Sequence, residues 1–258
     1  KRMTLGLYRI AQPFKESPMT NPTAAMLVIG DEILSGRTRD SNMHHLAQEL
    51  TKQGIDLKEV RVVSDDRAAI VSAVRALSQA FDHVFTSGGI GPTHDDITAD
   101  CIAEAFGRSI GVRDDARALL GAHYARQNME FNAARQRMAR IPEGAALIDN
   151  PVSIAPGFTL ENVHVMAGVP SVFTAMVASV LPKLTGGQPL LSQSLRLMRG
   201  EGEIAEPLGA LAERYPALSI GSYPFQRDGI YGANIVIRGT NGVEVDAAMT
   251  ELSKLFPA

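Results

Sequence analysis

The sequence carries one cysteine, Cys101, in 258 residues. A single thiol closes no internal disulfide, and no further ligands stand at zinc spacing, so neither a disulfide framework nor a zinc module organises this chain. No apolar run approaches the roughly 18 residues that a membrane-spanning helix needs. No sign of charge dominates either. The balance of 25 Lys+Arg against 28 Asp+Glu leaves a net charge of -3, which gives no reason to expect a nucleic-acid or membrane partner. The opening stretch KRMTLGLYRIAQPFKESPMTNPT is basic at its start but lacks a continuous apolar region and a small-residue cleavage site, so it does not read as a signal peptide. The expected location is cytoplasmic. Met3 and Met19 could both be start positions, and residues 1–23 are expected to be a tail. A Gly-Lys-Ser/Thr triplet is missing too, which excludes a P-loop.

What is present reads as alternating strands and helices. AAMLVI (24–29) is a buried strand ended by Gly30. A helix is expected from about Ser41 to Gln53, with Met43, Leu46, Ala47 and Leu50 on one face and Gly54 as its cap. Strand 55–63 follows, then a helix capped by Asp66 with Ile70, Val71, Val74 and Leu77 on one face. Strand 83–87 leads through a glycine loop into a helix near Thr98–Phe106. Helices are expected at 113–128 and 132–139, strands at AALID, GFTL and VHVMAG, and a helix from Pro170 to Leu181. This order with short loops predicts an α/β domain over 24–184 with a mostly parallel, doubly wound sheet. TGGQPLLSQS (185–194) reads as a linker. A small α+β domain of order β-α-β-β-α is expected over 195–258, with elements at 195–199, 203–214, 217–223, 231–238 and 243–255.

Ligands of open parallel sheets bind at the carboxyl ends of the strands. Three polar turns fall there: GDEILSG (30–36), SDD (64–66) and TSGGIGPTHDD (86–96). They gather Gly30, Asp31, Glu32, Asp65, Asp66, Asp95 and Asp96 on one rim. Gly88, Gly89 and Gly91 can bring backbone N–H groups to an oxyanion, and the following helix points its positive end the same way. Gly-Gly alone would be a tight turn. With Ser87, Pro92, Thr93 and two aspartates attached, the loop reads as a phosphate site. No basic side chain follows it, so carboxylates beside the N–H groups would hold a hard cation bridging to the phosphates. The bland alternative is capping, since Thr93-His94-Asp95-Asp96 resembles a capping box. For Asp66 capping is the better reading.

Other candidates are weaker. Ser35 and Asn42 flank the first turn and could bind ligand hydroxyls or cap. His44 and His45 read as solvated, His94 as a proton-transfer group or a bland loop residue, and Cys101 as a core thiol. Arg135, Arg137 and Arg140 form a basic cluster from which one residue could reach a phosphate. AGVPS (167–171), with Gly168 and Pro170, starts a helix and gives a second anion-capable N-terminus.

GDEILSGRTRDSN, SDDRAAI, TSGGIGPTHDDIT and AGVPS together resemble the molybdopterin-binding (MoaB/Mog-like) domain, in the version found at the N-terminus of CinA proteins. The resemblance covers about 24–182, and residues 195–258 are similar to the small domain that follows. GSYP (221–224) also looks like the related domain fused to some FAD synthases. The resemblance implies a three-layer α/β/α sandwich, frequent homo-oligomers, and a small phosphorylated ligand. It implies either metal-dependent hydrolysis of ADP-ribose or a similar nucleotide diphosphate, or binding of molybdopterin or another phosphorylated pterin. On the first reading a divalent metal (Mg, Mn or Co) is held by some of Asp31, Asp65, Asp95 and Asp96, with Asp65, Asp95 and Asp96 catalytic. Where the family usually has Pro-Gly-Val/Ser-Pro, this chain has Ala167-Gly168-Val169-Pro170, which puts the rigidity of that loop in question.

Overall fold

The apolar run near the start becomes β1 (Thr23–Ile29) and is buried on both faces. In the computed structural model, which describes residues 21–227 and 229–257, the expected tail falls mostly on residues 1–20, outside the described part. The chain continues through α1 (Asp31–Leu34), α2 (Asn42–Gln53), β2 (Asp56–Val63), α3 (Arg67–Ala80) and β3 (His83–Ser87). Then come α4 (Thr98–Ala105), β4 (Ile110–Val112), α5 (Asp114–Arg126), α6 (Ala133–Gln136), β5 (Arg140–Pro142), β6 (Ala146–Ile148), β7 (Gly157–Leu160), β8 (Val163–Met166) and α7 (Pro170–Val180).

The sheet has strand order β2-β1-β3-β8-β7-β6. The pairs β1–β2, β1–β3 and β3–β8 are parallel, while β7–β8 and β6–β7 are antiparallel. Continuous apolar strands follow from this position, because helices cover both faces. Ala25, Leu27 and Ile29 of β1 pack under α3 and α4, with Ile70, Val74 and Ile102. Ala24, Met26 and Val28 point the other way, toward Leu46 and Leu50 of α2 and Phe173 and Met176 of α7. This is the expected α/β/α sandwich with a mostly parallel sheet. β1 lies between β2 and β3, so the chain leaves it in both directions. The crevice at the carboxyl ends of β1 and β3 is where such a sheet takes ligands.

Local signals explain the helix ends. Gly54 closes α2 in the left-handed conformation (φ 68°), which glycine adopts without a Cβ penalty. The Asp66 carboxylate accepts the Ala69 N–H at 2.8 Å and caps α3, as expected. Cys101 is buried, and burial pushes its thiol up to about 11, so it is a neutral core group.

The small domain comprises β9 (Leu191–Leu197), α8 (Glu201–Arg214), β10 (Ser219–Arg227), β11 (Ile230–Gly239) and α9 (Gly242–Leu255). Its antiparallel sheet has order β10-β11-β9, and Leu197, Ile204, Leu211, Ala233, Ile235, Ile237 and Leu252 belong to a core of its own. The stretch read as a linker differs from expectation at both ends. Gly187 N–H reaches the carbonyls of Gln53 (3.2 Å) and Gly54 (3.1 Å), and Gln188 exchanges hydrogen bonds with Asn21, so residues 187–188 are fastened to the α/β domain. β9 then begins at Leu191, four residues before the expected strand.

Candidate functional site

The three polar turns do converge. They line one cleft of about 720 Å³ at the carboxyl ends of the strands. Its floor is the glycine loop. Gly88 donates its N–H to the Met166 carbonyl at 3.1 Å, tying the loop to β8. Thr98, fully buried, donates its hydroxyl to the Gly88 carbonyl and its N–H to the Gly89 carbonyl, both at 3.0 Å. These bonds leave the N–H groups of Gly89, Ile90 and Gly91 without a protein acceptor among the described residues. Three successive free N–H groups form an anion-binding concavity. Gly89 takes φ 69°, and a Cβ there would collide with the Thr98 hydroxyl.

The opposite wall is acidic. Asp65, Glu32 and Asp95 line it. Asp65 accepts the Asp31 N–H at 3.0 Å. Burial pushes the Asp65 carboxyl up, and the like charges of Asp31, Glu32 and Asp95 add to this against the lowering pull of that N–H. The Glu32 carboxylate folds over Gly30.

Asp95 and Asp96 prove unlike. The Asp96 carboxylate accepts both the N–H and the hydroxyl of Thr93, at 2.8 and 2.6 Å, and lies against Gly91. It closes its own turn. Neither aspartate caps α4, whose N-cap is Ile97. Asp95 is exposed, and its carboxyl is lowered first by the Thr93 hydroxyl and then by its own N–H. One hydroxyl proton serves one carboxylate at a time, and the short contact to Asp96 gives that partner precedence.

Several residues expected in the site stand elsewhere. Asp31, Ser35, Pro92 and Thr93 are exposed and do not line the cleft. Asn42 is 3% exposed and acts as a staple. Its amide donates to Ser87 Oγ at 2.8 Å and to the Gly168 carbonyl at 2.7 Å. Ser87 is buried behind the floor for the same reason. This staple fixes the Ala167–Pro170 loop without the proline at position 167. Gly168 packs against Gly88, and Gly168 and Pro170 line the cleft beside the first turn of α7.

The rest of the wall gave little sequence signal. Asn150 holds a tight turn by accepting the N–H groups of Val152 and Ser153, both at 3.1 Å, and by donating to the Ala155 carbonyl at 2.8 Å. That turn brings Val152, Ser153 and Ala155 to the cleft, where Met138 and Val172 add apolar surface. Asn150-Pro151 marks a turn, but nothing local indicates what it faces. From the basic cluster, Arg137 donates to the Asp96 carbonyl at 3.3 Å and Arg140 pairs with Asp100, both behind the loop. Arg135 lies over the Tyr124 ring instead.

Among the described residues, no three His, Cys, Asp or Glu side chains stand close enough to hold a metal ion by themselves. The four aspartates therefore form no closed cage. A hard cation such as Mg²⁺ needs only one or two carboxylates when phosphate oxygens and water complete its shell. The uncompensated charge around Asp65 fits that shared arrangement.

Residues 25–186 match the family model described as a probable molybdopterin binding domain, and residues 189–258 match the FAD synthase middle domain. A probable FAD synthase of Caenorhabditis elegans is 31% identical over 259 residues, covering 91% of this chain and 50% of that protein. A CinA-like protein of Citrifermentans bemidjiense is 37% identical over 201 residues, covering 74% of this chain and 49% of that one. The chain thus matches about half the length of either relative. Among solved structures, the protein CinA from Thermoplasma acidophilum superposes with a TM-score of 0.59 at 30% identity, covering 64% of this chain and 99% of that one.

Proposed function

The chain belongs to the family of the probable molybdopterin binding domain, and on that premise we propose that it hydrolyses a nucleotide diphosphate such as ADP-ribose with the help of a divalent cation. The observation that carries this reading is a single cleft in which the N–H groups of Gly89, Ile90 and Gly91, without a protein acceptor among the described residues, meet the carboxylates of Glu32, Asp65 and Asp95, none of which pairs with a Lys or Arg among those residues. A binder that only held a phosphate would weaken itself with those carboxylates.

The roles follow from position. The three N–H groups bind the phosphoryl oxygens and stabilise the charge that builds on them. The first turn of α7 adds its positive end. Asp65, whose carboxyl burial raises from its ordinary value, would take a proton from an attacking water. Asp96 keeps the 93–96 turn in shape, which presents Asp95 to the cleft. Asp95 would hold the cation together with the ligand's own phosphates. Bound there, it would supply positive charge to the diphosphate oxygens. Val152, Ala155 and Val172 would pack against the nucleoside.

The apolar wall also suits a pterin ring, and the family description favours that ligand. On this second reading the cleft holds molybdopterin or another phosphorylated pterin without turnover. Incubation with ADP-ribose, FAD or NAD and Mg²⁺, Mn²⁺ or Co²⁺, followed by chromatography for AMP, separates the two. AMP release supports hydrolysis. Its absence, with tight molybdopterin binding by calorimetry, supports the second reading.

A further inference from the structure

The small domain covers one face of its sheet with its own helices and leaves the other open. Ala233, Ile235 and Ile237 of β11 are fully buried in the core with α8 and α9. The alternate residues of β11 therefore stand on the opposite face, and directly paired residues on β10 and β9 share it. In this register Phe225 lies opposite Gly232, while Tyr223 and Arg196 flank Asn234.

This face has a consistent chemistry. A Cβ on Gly232 would run into the Phe225 ring, and one on Gly221 would meet the Tyr223 ring, so the two glycines let the rings lie against the sheet. Each ring carries a guanidinium. Arg196 sits 4.1 Å from the centroid of Phe225, and Arg238 sits 5.9 Å from that of Tyr223. Tyr223 is 48% exposed, and Arg196 and Arg238 are exposed as well. Every described acidic residue of this domain lies on α8 or α9, and the three strands contribute none. The net negative charge of the chain thus hides a face that is locally cationic and aromatic.

We infer that this open face binds single-stranded nucleic acid, with bases stacking on the exposed Tyr223 ring and on the Arg196 guanidinium that covers Phe225, and phosphates meeting the N–H edges of Arg196 and Arg238. Paired aromatic rings on an antiparallel sheet offer stacking surface to unpaired bases, and stacked guanidinium groups add charge beside it. Shape decides against a free nucleotide, because small ligands bind in concave sites that enclose most of their surface. Duplex bases are already stacked and cannot use the rings. The face is separate from the cleft of the α/β domain, so the inference does not rest on the hydrolase reading.

Fluorescence anisotropy of the full chain with labelled oligouridylate and oligothymidylate tests it. Tyr223→Ala should weaken binding about tenfold or more, as loss of a stacking ring does. For two phosphate contacts, affinity should fall roughly sevenfold between about 50 and 200 mM salt, and the Arg196→Gln/Arg238→Gln pair should flatten that dependence. Arg214→Gln, on the helix side beside Glu251, should leave binding unchanged, and melting temperatures confirm that each variant folds. No binding at low salt, wild-type affinity in Tyr223→Ala, equal binding of a duplex, or full displacement by AMP would each overturn the inference.

Discussion

Two adjacent aspartates show how far residue identity alone carries. Asp95 and Asp96 are equivalent in the sequence, and either could cap a helix or hold a cation. In the fold, Asp96 accepts two hydrogen bonds from Thr93 and closes its own turn, whereas Asp95 stands exposed on the acidic wall of the cleft. Asparagine keeps an accepting oxygen but loses the charge a hard cation requires. Asp95→Asn should therefore lower turnover by roughly a hundredfold or more, with an almost unchanged melting temperature. Asp96→Asn should retain most activity. The reverse ranking would remove Asp95 from the cation site. Gly89 shifts in meaning too. From the sequence alone, a side chain there would be expected to block phosphate approach and abolish ligand binding with a modest loss of stability. With φ 69° and the Thr98 hydroxyl beside it, the side chain would instead strain the backbone and break the loop's anchor. We expect Gly89→Val to lose roughly 2–4 kcal/mol by urea denaturation, whether or not ligand is present.

At the scale of elements, long periodic segments are legible and short ones are not. β3, α3 and α7 follow their apolar patterns closely, because a strand buried on both faces and a helix with one apolar stripe leave clear periodicities. β4 and β5 are three residues each and pair only with one another, too short to show a period. The site divides in the same way. Glycine and aspartate turns at strand ends announce themselves, whereas the 150–155 wall depends on a tertiary neighbour. Sequence also gives no hint of a histidine pair where β3 meets β8, one ring buried and the other half-buried. His164 is 3% exposed, with Nε2 at 3.3 Å from His83 Nδ1 and Nδ1 at 3.0 Å from Thr159 Oγ1. Burial, with the nearby His83 adding to it, drives the His164 imidazole down from 6.5 to about 3. The folded protein keeps this ring neutral, while the unfolded chain protonates it below about 6.5. Stability is thus fully present above that pH and falls as pH drops toward 3, by about 1.4 kcal/mol per unit. Chemical denaturation between about pH 7 and 5 should show this slope, and His164→Gln should reduce it. A flat profile in the wild type would contradict the burial argument.

For the whole molecule, two cores and one short junction suggest two folding units. Because Gly187 and Gln188 bond back to Gln53, Gly54 and Asn21, the boundary lies after residue 188 rather than at 185. A chain of residues 21–190 should fold alone and keep the ligand affinity of the cleft, and one ending at 184 should melt at a lower temperature. Equal melting of the two would show that these bonds contribute nothing. A folded 21–190 chain without affinity would mean that the small domain shares the cleft. The central claim is that the carboxylate wall and the free N–H groups work together on a diphosphate through a shared cation. It is tested most directly by the rate of AMP release from ADP-ribose by the full chain, measured after EDTA treatment and again after Mn²⁺ is restored. The account predicts that release stops with EDTA and returns with Mn²⁺ in the wild type but not in Asp95→Asn. Release that continues undiminished in excess EDTA would contradict it.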